Sequence, residues 1–138
     1  MTTSTARIAE VTEGDDAAER QALAGAKRIV VKVGSSSLTS IKGGISEKAL
    51  TALVHALAEK RNSGTEIILV SSGAIAAGLA PLGLAKRPKD LATQQAAASV
   101  GQGLLMARYS QAFAAHGVTV SQVLLTADDL MRRTQHSN

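Results

Sequence analysis

Short apolar runs alternate with helical periodicities along the chain, and this alternation predicts an α/β fold. The run RIVVKV at 28–33 is short and rich in β-branched residues, the pattern of a parallel strand covered on both faces. The run TEIILV at 65–70 has the same character. Apolar residues recur at helical spacing between the two runs, where Ser46 is the predicted N-cap and 62–64 (NSG) the predicted end. Two such strands joined by a helix predict a right-handed βαβ unit.

The second half of the chain predicts two more helices and a third strand. A short helix opens at Gly73, a loop follows at about 80–89, and a long alanine-rich helix spans about 90–116. The run VTVSQVLL at 118–125 predicts the third strand, and TADD at 126–129 predicts the capping box of a further helix. The expected architecture is an open, mostly parallel sheet. The predicted buried face of the long helix consists of Leu91, Ala98, Leu105, Tyr109 and Ala112.

Two glycines lie inside the long predicted helix. Gly101 and Gly103 each cost a helix about 1 kcal/mol relative to alanine. Their presence predicts either close contact with the backbone of another helix or a local kink. The residue pattern leaves both interpretations open.

Composition indicates a globular domain and excludes several classes of site. The 138 residues are 45% hydrophobic, with Tyr109 and Phe113 as the entire aromatic inventory, and they include no cysteine. Disulfides, thiolate metal sites and cysteine nucleophiles are therefore excluded. No apolar run approaches the roughly 20 residues of a membrane span, and residues 1–26 lack the apolar core of a secretion signal. We expect 1–26 to be a mobile tail with a helical turn near 16–24, and the protein to be cytoplasmic.

The formal net charge of +4 raises the question of nucleic-acid binding. The basic residues occur as scattered pairs, such as Lys27-Arg28 and Lys86-Arg87, and aromatic side chains for base stacking are nearly missing. Solvated surface charge explains this pattern better, so we expect no nucleic-acid partner for this segment.

Lys32 and the residues after it form the first candidate site. Ligands of open α/β sheets bind beyond the carboxyl ends of the strands, and Lys32 lies near such an end. Gly34 and Ser35 follow, and backbone N–H groups and hydroxyls there would cradle phosphate oxygens together with the ammonium group. The alternative is that Lys32 reaches solvent from an edge strand. The segment contains no Walker P-loop motif.

Ser72 and the turn after it form the second candidate site. The sequence VSSGAIAAG at 70–78 takes a strand into a helix, and the N-terminus of a helix favours a carboxylate or phosphate. The alternative is a helix cap in which glycine permits tight packing. A serine nucleophile is not indicated, because the G-x-S-x-G elbow is absent. His55 and His116 have no partners at metal-ligand spacing in the sequence and are interpreted as structural.

Four segments resemble the glutamate 5-kinases within the amino-acid kinase family. They are RIVVKVGSSSLT at 28–39, IILVSSGAIAAG at 67–78, TQQAAASVGQGLLM at 93–106 and VSQVLLTADDL at 120–130. Each motif alone is weak, but four in order are specific, and the resemblance covers about 28–138. Related kinases for aspartate, acetylglutamate, carbamate or uridylate typically carry glycine-richer loops where this chain reads SSGAIAAG.

The resemblance implies a three-layer α/β/α sandwich and ATP-dependent phosphorylation of the γ-carboxylate of L-glutamate, the first step of proline synthesis. Lys32 matches the family lysine that contacts ATP phosphates, with Gly34 and Ser35 beside it. Ser72 matches the serine that binds glutamate, and Gly73 and Ala74 would lend N–H groups to the same substrate. ATP and Mg²⁺ are the implied cofactors, and no metal ligand is assigned within this segment. Separately, the long alanine-rich helix with its internal glycines leads us to expect a homo-oligomer.

The chain departs from the family in the segments that family members carry after the matched region. Those segments are acidic and asparagine-rich stretches, a glycine-rich nucleotide loop, a second catalytic lysine and often a PUA domain. None of these occurs in the 138 residues. We therefore interpret 27–138 as the N-terminal part of a kinase domain and expect little activity from it alone. The alternative is a non-catalytic α/β fragment that binds an anion or a completing partner subunit.

Overall fold

A computed structural model describes residues 16–38 and 44–126 of the chain. Within these ranges the elements alternate between helices and two strands, as the sequence pattern predicts for an α/β protein. In chain order they are α1 (Asp16–Ala24), β1 (Arg28–Val33), α2 (Ser35–Leu38), α3 (Glu47–Asn62), β2 (Glu66–Ser71), α4 (Ala74–Leu79) and α5 (Leu91–Ala114).

The two strands form a parallel pair, which confirms the predicted βαβ unit. Arg28 lies opposite Glu66, and the register continues to Val33 opposite Ser71. The Arg28 guanidinium and the Glu66 carboxylate form an exposed ion pair at the amino end of this ladder, with Nε and Oε2 2.6 Å apart. Apart from Lys32, the remaining ladder positions are uncharged. The ion pair lies at the end of the ladder opposite Lys32 and Ser71.

Helix α3 begins and ends where its capping residues predict. The Ser46 hydroxyl oxygen accepts a hydrogen bond from the Ala49 N–H at 3.3 Å, which satisfies one of the unpaired donors of the first turn. The helix stops before Gly64, whose φ of +97° lies in the left-handed region that favours glycine. The chain reverses direction there, so β2 runs antiparallel to α3 and parallel to β1.

The hydrophobic core lies between the helices and one face of the sheet. Val31, Val33, Ile67 and Leu69 point into it from the strands. The helices contribute their buried apolar side chains, and the largest that are fully buried are Leu50 and Val54. The helical core residues are Leu38, Leu50, Val54, Leu57, Ala58, Ala77, Leu105, Tyr109 and Phe113.

The opposite face of the sheet corrects the prediction of strands covered on both faces. Val30, Ile68 and Val70 are 61%, 48% and 47% exposed. Successive side chains of a strand point to opposite faces. In the described residues the helices pack on the face that carries Val31 and Leu69, so these three side chains have no helical cover. The described part of the chain therefore supplies two layers, one of helices and one of sheet.

The prediction of a third strand at 118–125 is wrong. The segment is irregular from Val118 to Thr126, and the two described strands pair only with each other. Val118 and Val120 still pack against the core, whereas 123–125 (VLL) are exposed. β-branched composition reports how well a segment fits a pleated surface, and it produces a strand only where a partner ladder is available. The described residues end at Thr126, so the rest of the predicted capping box at 126–129 lies outside them.

The buried face of α5 differs in part from the predicted one. Leu105 and Tyr109 are buried as expected, but Leu91 is exposed, and Ala98 and Ala112 are only partly buried. The observed buried positions recur every four residues along one stripe. They are Ala97, Gly101, Leu105, Tyr109 and Phe113.

Helix α1 occupies the region where the sequence suggests a helical turn. It spans nine residues, Asp16–Ala24, and the carbonyl oxygen of Ala24 accepts a hydrogen bond from Lys60 Nζ at 3.2 Å. The rest of the predicted tail, 1–15, lies outside the described residues. Among the helices of the described ranges, none has the length and apolar character needed to cross a membrane.

Candidate functional site

The carboxyl ends of β1 and β2 bring the two predicted motifs to one edge of the sheet. The backbone N–H of Ser72 donates a hydrogen bond to the carbonyl oxygen of Val33 at 3.4 Å. The hydroxyl of Ser72 donates to the same oxygen at 3.5 Å. Thus the turn after β2 is joined directly to the last residue of β1. We call this region, formed by Lys32, 33–35 and 71–74, the strand-end site.

Lys32 lies on the exposed face of β1, opposite Val70 in the ladder. Its side chain makes no hydrogen bond or ion pair with any residue that the structure describes. Lys32 occupies the next-to-last ladder position of β1, and Ser72, which is exposed as well, follows the last residue of β2. The ammonium group of Lys32 is exposed and has no ion-pair partner among the described residues, so it is available to bind an anion.

Gly34 and the single turn α2 connect Lys32 to the core. The N–H of Ser37 donates to the carbonyl of Gly34 at 3.1 Å, which closes this turn. Leu38 is buried and anchors the end of the turn, and its carbonyl accepts a hydrogen bond from the Ser46 N–H at 2.7 Å. Gly34 and Ser35 are partly buried, so the backbone of this turn is held beside β1.

The turn from β2 into α4 places Gly73 in the core and Ser72 at the surface. A Cβ added at Gly73 would lie 3.7 Å from Cδ2 of Leu105, an ordinary van der Waals distance. The carbonyl of Gly73 accepts the Ala77 N–H at 2.9 Å as the helix begins. The first N–H groups of any helix lack intrahelical acceptors, so those after Gly73 are available to a ligand or to water.

Tyr109 contacts the strand-end site, although sequence reasoning did not assign it a role there. Its hydroxyl lies 3.4 Å from Oγ of Ser71, directly before Ser72, while the residue as a whole is only 5% exposed. Burial raises the pKa of the Tyr109 phenol, and the hydrogen bond with Ser71 opposes that effect. The only sequence signal was the scarcity of aromatic residues, because Tyr109 is the single tyrosine of the chain.

The two described histidines lie together, away from the strand-end site. The rings of His55 and His116 have centroids 5.4 Å apart, and His55 Nε2 lies 3.6 Å from a carboxylate oxygen of Glu59. The sequence pattern did not predict this contact between His55 on α3 and His116 after the end of α5. In the described ranges no three histidine, cysteine, aspartate or glutamate side chains are grouped closely enough to hold a metal ion.

The strand-end site therefore combines hydroxyl and backbone N–H donors with the ammonium group of Lys32, which has no ion-pair partner among the described residues. Acidic side chains are missing from 28–38 and 67–79, so these two segments bring no negative charge of their own to the site. Two anionic groups bound side by side, one near Lys32 and one near Ser72, match these donors. The arrangement can position an anion against another anion, and its described residues offer no general base.

Comparisons with known proteins agree on the kind of protein to which this chain is related. A sequence profile described as the amino acid kinase family matches residues 27–138. A glutamate 5-kinase of Thermobifida fusca is 64% identical over 119 residues, which cover 86% of this chain and 31% of that protein. Glutamate 5-kinases of Streptomyces coelicolor and Streptomyces avermitilis are 64% and 66% identical over 122 residues, 88% of this chain.

The chain thus spans about a third of the length of the curated relatives that it matches. The family profile, by contrast, covers nearly the whole of the described structure, from Lys27 onward. It includes both motifs of the strand-end site and the helix that packs beneath them. This chain belongs to the amino acid kinase family.

Proposed function

We propose that this chain provides the N-terminal part of a glutamate 5-kinase, which transfers the γ-phosphoryl group of ATP to the γ-carboxylate of L-glutamate. The product would be L-glutamyl 5-phosphate, the first intermediate of proline synthesis. The observation that carries the proposal is the pair of hydrogen bonds from Ser72 to the Val33 carbonyl, which joins the lysine motif and the serine motif at one edge. Relatives named glutamate 5-kinase at 64–66% identity support the choice of substrate.

Lys32 is the residue that would contact the phosphates of ATP. Its exposed ammonium has no partner among the described residues, and the backbone of Gly34 and Ser35 lies next to it. In phosphoryl transfer, negative charge is spread over the oxygens of the transferring group, so a fixed cation stabilises the transition state. Lys32 is therefore assigned a catalytic role, and Gly34 and Ser35 a nucleotide-binding role.

Ser72, Gly73 and Ala74 would bind glutamate. The Ser72 hydroxyl is exposed at the strand end, and it would rotate away from the Val33 carbonyl to donate to a ligand. Gly73 is the N-cap of α4 and Ala74 its first residue, so their N–H groups have no intrahelical acceptor. These donors suit a carboxylate. The hydrogen bond from the Ser72 backbone N–H to the Val33 carbonyl would hold this carboxylate site beside the phosphate site.

The chemistry requires positioning more than proton transfer. A glutamate side chain has an unperturbed pKa of about 4.3, so its carboxylate is ionised at neutral pH and needs no general base. The carboxylate oxygen forms a bond to the γ-phosphorus, and the bond between that phosphorus and the bridging oxygen of ADP breaks. Mg²⁺ bound to ATP would neutralise phosphate charge. The described residues include no group of carboxylates or histidines that fits a metal ion, so no metal ligand is assigned in the strand-end site.

Two further expectations belong to the same proposal. A cytoplasmic location suits an enzyme that uses the ATP and glutamate of the cell. A homo-oligomer is supported by apolar residues that stay exposed on α5, namely Leu91, Val100 and Leu104.

The experiment that tests the proposal is an acceptor panel. The protein expressed from its own gene is incubated with ATP and Mg²⁺, and ADP release is measured with L-glutamate, L-aspartate, N-acetylglutamate, carbamate and UMP in turn. Hydroxylamine is added in a parallel set, because it converts an acyl phosphate into a stable hydroxamate. Glutamate-dependent ADP release with matching hydroxamate supports the proposal. A different preferred acceptor overturns the substrate. No turnover with any acceptor, by a protein that also carries the later segments of the family, favours the non-catalytic alternative.

A further inference from the structure

Helices α4 and α5 cross with their backbones in direct contact. A Cβ added at Gly78 would overlap the carbonyl group of Ala97, and one added at Gly101 would overlap the carbonyl oxygen of Ala74 and the backbone nitrogen of Gly78. Both glycines are buried. Of the two predicted reasons for glycine in the long helix, close backbone contact is therefore the correct one at Gly101.

Gly103 lies in a different environment on the same helix. A Cβ added there would meet no heavy atom within 4 Å, and the residue is exposed. The requirement for glycine at 101 therefore comes from the crossing with α4 and not from the helix itself. Gly103 offers a matched control, since it has the same residue type, helix and propensity cost.

The stripe of α5 that carries Gly101 contacts the strand-end site at three successive points. Gly101 lies against the carbonyl of Ala74, Leu105 against Gly73, and the Tyr109 hydroxyl against Ser71 Oγ at 3.4 Å. These α5 residues are spaced four apart, so they lie on one face of the helix. One rigid element thus supports the turn on both sides of Ser72.

We propose that Gly101 and Tyr109 are positioning residues that set the location of the turn at 71–74 relative to the end of β1. Neither residue belongs to the assigned substrate contacts, and both act through the backbone or side chain of that turn. The proposal deepens the proposed function, because its kinetic consequence rests on Ser72 and Ala74 binding glutamate. Its structural consequence does not depend on that assignment.

The test compares Gly101→Ala with Gly103→Ala in the full protein. Amide hydrogen exchange of residues 72–79 reports the position and order of the turn and of α4. Steady-state kinetics report KM for glutamate and for ATP separately. Circular dichroism and thermal unfolding establish that each variant is folded before either result is interpreted.

Gly101→Ala is expected to speed amide exchange across 72–79 and to lower kcat/KM for glutamate by on the order of 100-fold, the cost of misplacing a substrate by about 1 Å. KM for ATP should change much less, because Lys32 on β1 and Gly34 directly after it lie outside the contacts between α5 and the turn at 71–74. Gly103→Ala should match the wild type in both measurements. A folded Gly101→Ala variant with wild-type exchange and kinetics overturns the proposal.

Tyr109→Phe decides the matter if Gly101→Ala does not fold, because it keeps the ring in the core and removes only the hydroxyl. Loss of this one hydrogen bond should raise KM for glutamate about 2–10-fold without raising KM for ATP, and should speed exchange at the Ser72 amide. Unchanged exchange and unchanged KM for glutamate would overturn the role of Tyr109. If the wild type is no kinase, the proposed function fails, and the exchange comparison still tests the positioning role.

Discussion

At the scale of single residues, the candidate site rests on one cation whose surroundings distinguish it from the other lysines. Lys32 extends from the exposed face of a strand, at the edge where Ser72 meets Val33. Lys48 is also exposed and has no partner among the described residues, but it lies in the first turn of α3, away from that edge. Position and not exposure therefore gives Lys32 its assigned role.

Lys32→Ala should lower kcat for glutamate phosphorylation by on the order of 100-fold or more, because a fixed charge that stabilises the transferring phosphoryl group is lost. Lys48→Ala, which removes the same charge elsewhere, should retain wild-type kcat. Both variants should unfold at the wild-type temperature, since neither side chain packs in the core. Equal kcat for the two variants would refute the catalytic role of Lys32.

Sequence reasoning reached the residues of this site unevenly, for a physical reason. Lys32 lies next to the last residue of β1 and Ser72 follows β2, and the edge to which parallel strands deliver their residues is predictable from local patterns. Tyr109 lies 38 residues from its partner Ser71, and no local pattern records that contact. Tertiary contacts of this kind appear only when α5 is placed against the sheet.

At the scale of elements, capping explains where the two longest helices, α3 and α5, begin. Ser46 caps α3 through the Ala49 N–H, and Asp90 caps α5 through the Thr93 N–H at 2.8 Å. The cap at Ser46 was predicted from its neighbouring residues, whereas the start of α5 near 90 was predicted from its alanine-rich pattern and the cap at Asp90 was not. The strand at 118–125 was predicted from equally clear local composition, yet a strand also needs a partner, which local composition does not supply.

Ser46→Ala should lower the free energy of unfolding by about 1 kcal/mol, within the 0.5–2 kcal/mol typical of a lost N-cap. Ser63→Ala provides the control at the other end of α3, where the exposed hydroxyl only donates to the Lys60 carbonyl. Surface changes of this kind usually stay within about 0.5 kcal/mol. Urea unfolding of both variants makes the comparison, and equal midpoints would contradict the capping role.

The cap of α5 should make stability depend on acid pH. Hydrogen bonds donated by Thr93, from its side chain and its backbone N–H, hold the pKa of Asp90 below its usual range. A carboxyl group with a lowered folded-state pKa stabilises the protein above its unfolded-state pKa, and this contribution is lost as pH falls through the folded-state value.

Asp90→Asn should therefore remove part of the acid dependence of unfolding, while its amide oxygen continues to cap the helix. Thermal unfolding between neutral pH and about pH 3 measures the effect. The difference in stability between wild type and variant should shrink as pH falls. A constant difference across this range would show that the Asp90 charge does not contribute.

At the scale of the whole molecule, the described chain is a sheet with one covered face. Val30, Ile68 and Val70 form an apolar row on the other face, with Lys32 and the Arg28–Glu66 ion pair at its two ends. Apolar composition of the strands led to the prediction of two covered faces. The composition of a strand does not specify which residues cover it, and the described residues leave this face exposed.

Ile68→Thr combined with Val70→Thr should reduce binding of the fluorophore ANS to the 138-residue chain, because threonine keeps the β-branched shape and removes apolar surface. The unfolding midpoint should change little, since both side chains are about half exposed. Val31→Thr is the control, and it should destabilise the protein because Val31 faces the core. Unchanged ANS fluorescence in the double variant would contradict an accessible apolar face.

The measurement that tests the central claim most directly is the kinetic effect of Ser72→Ala, because Ser72 joins the two halves of the strand-end site. Loss of its hydroxyl should lower kcat/KM for glutamate about 10-fold, the equivalent of one hydrogen bond, and leave KM for ATP near the wild-type value. Ser63→Ala should leave both parameters unchanged. Wild-type kinetics with glutamate in the Ser72→Ala variant would contradict a glutamate site at the end of β2.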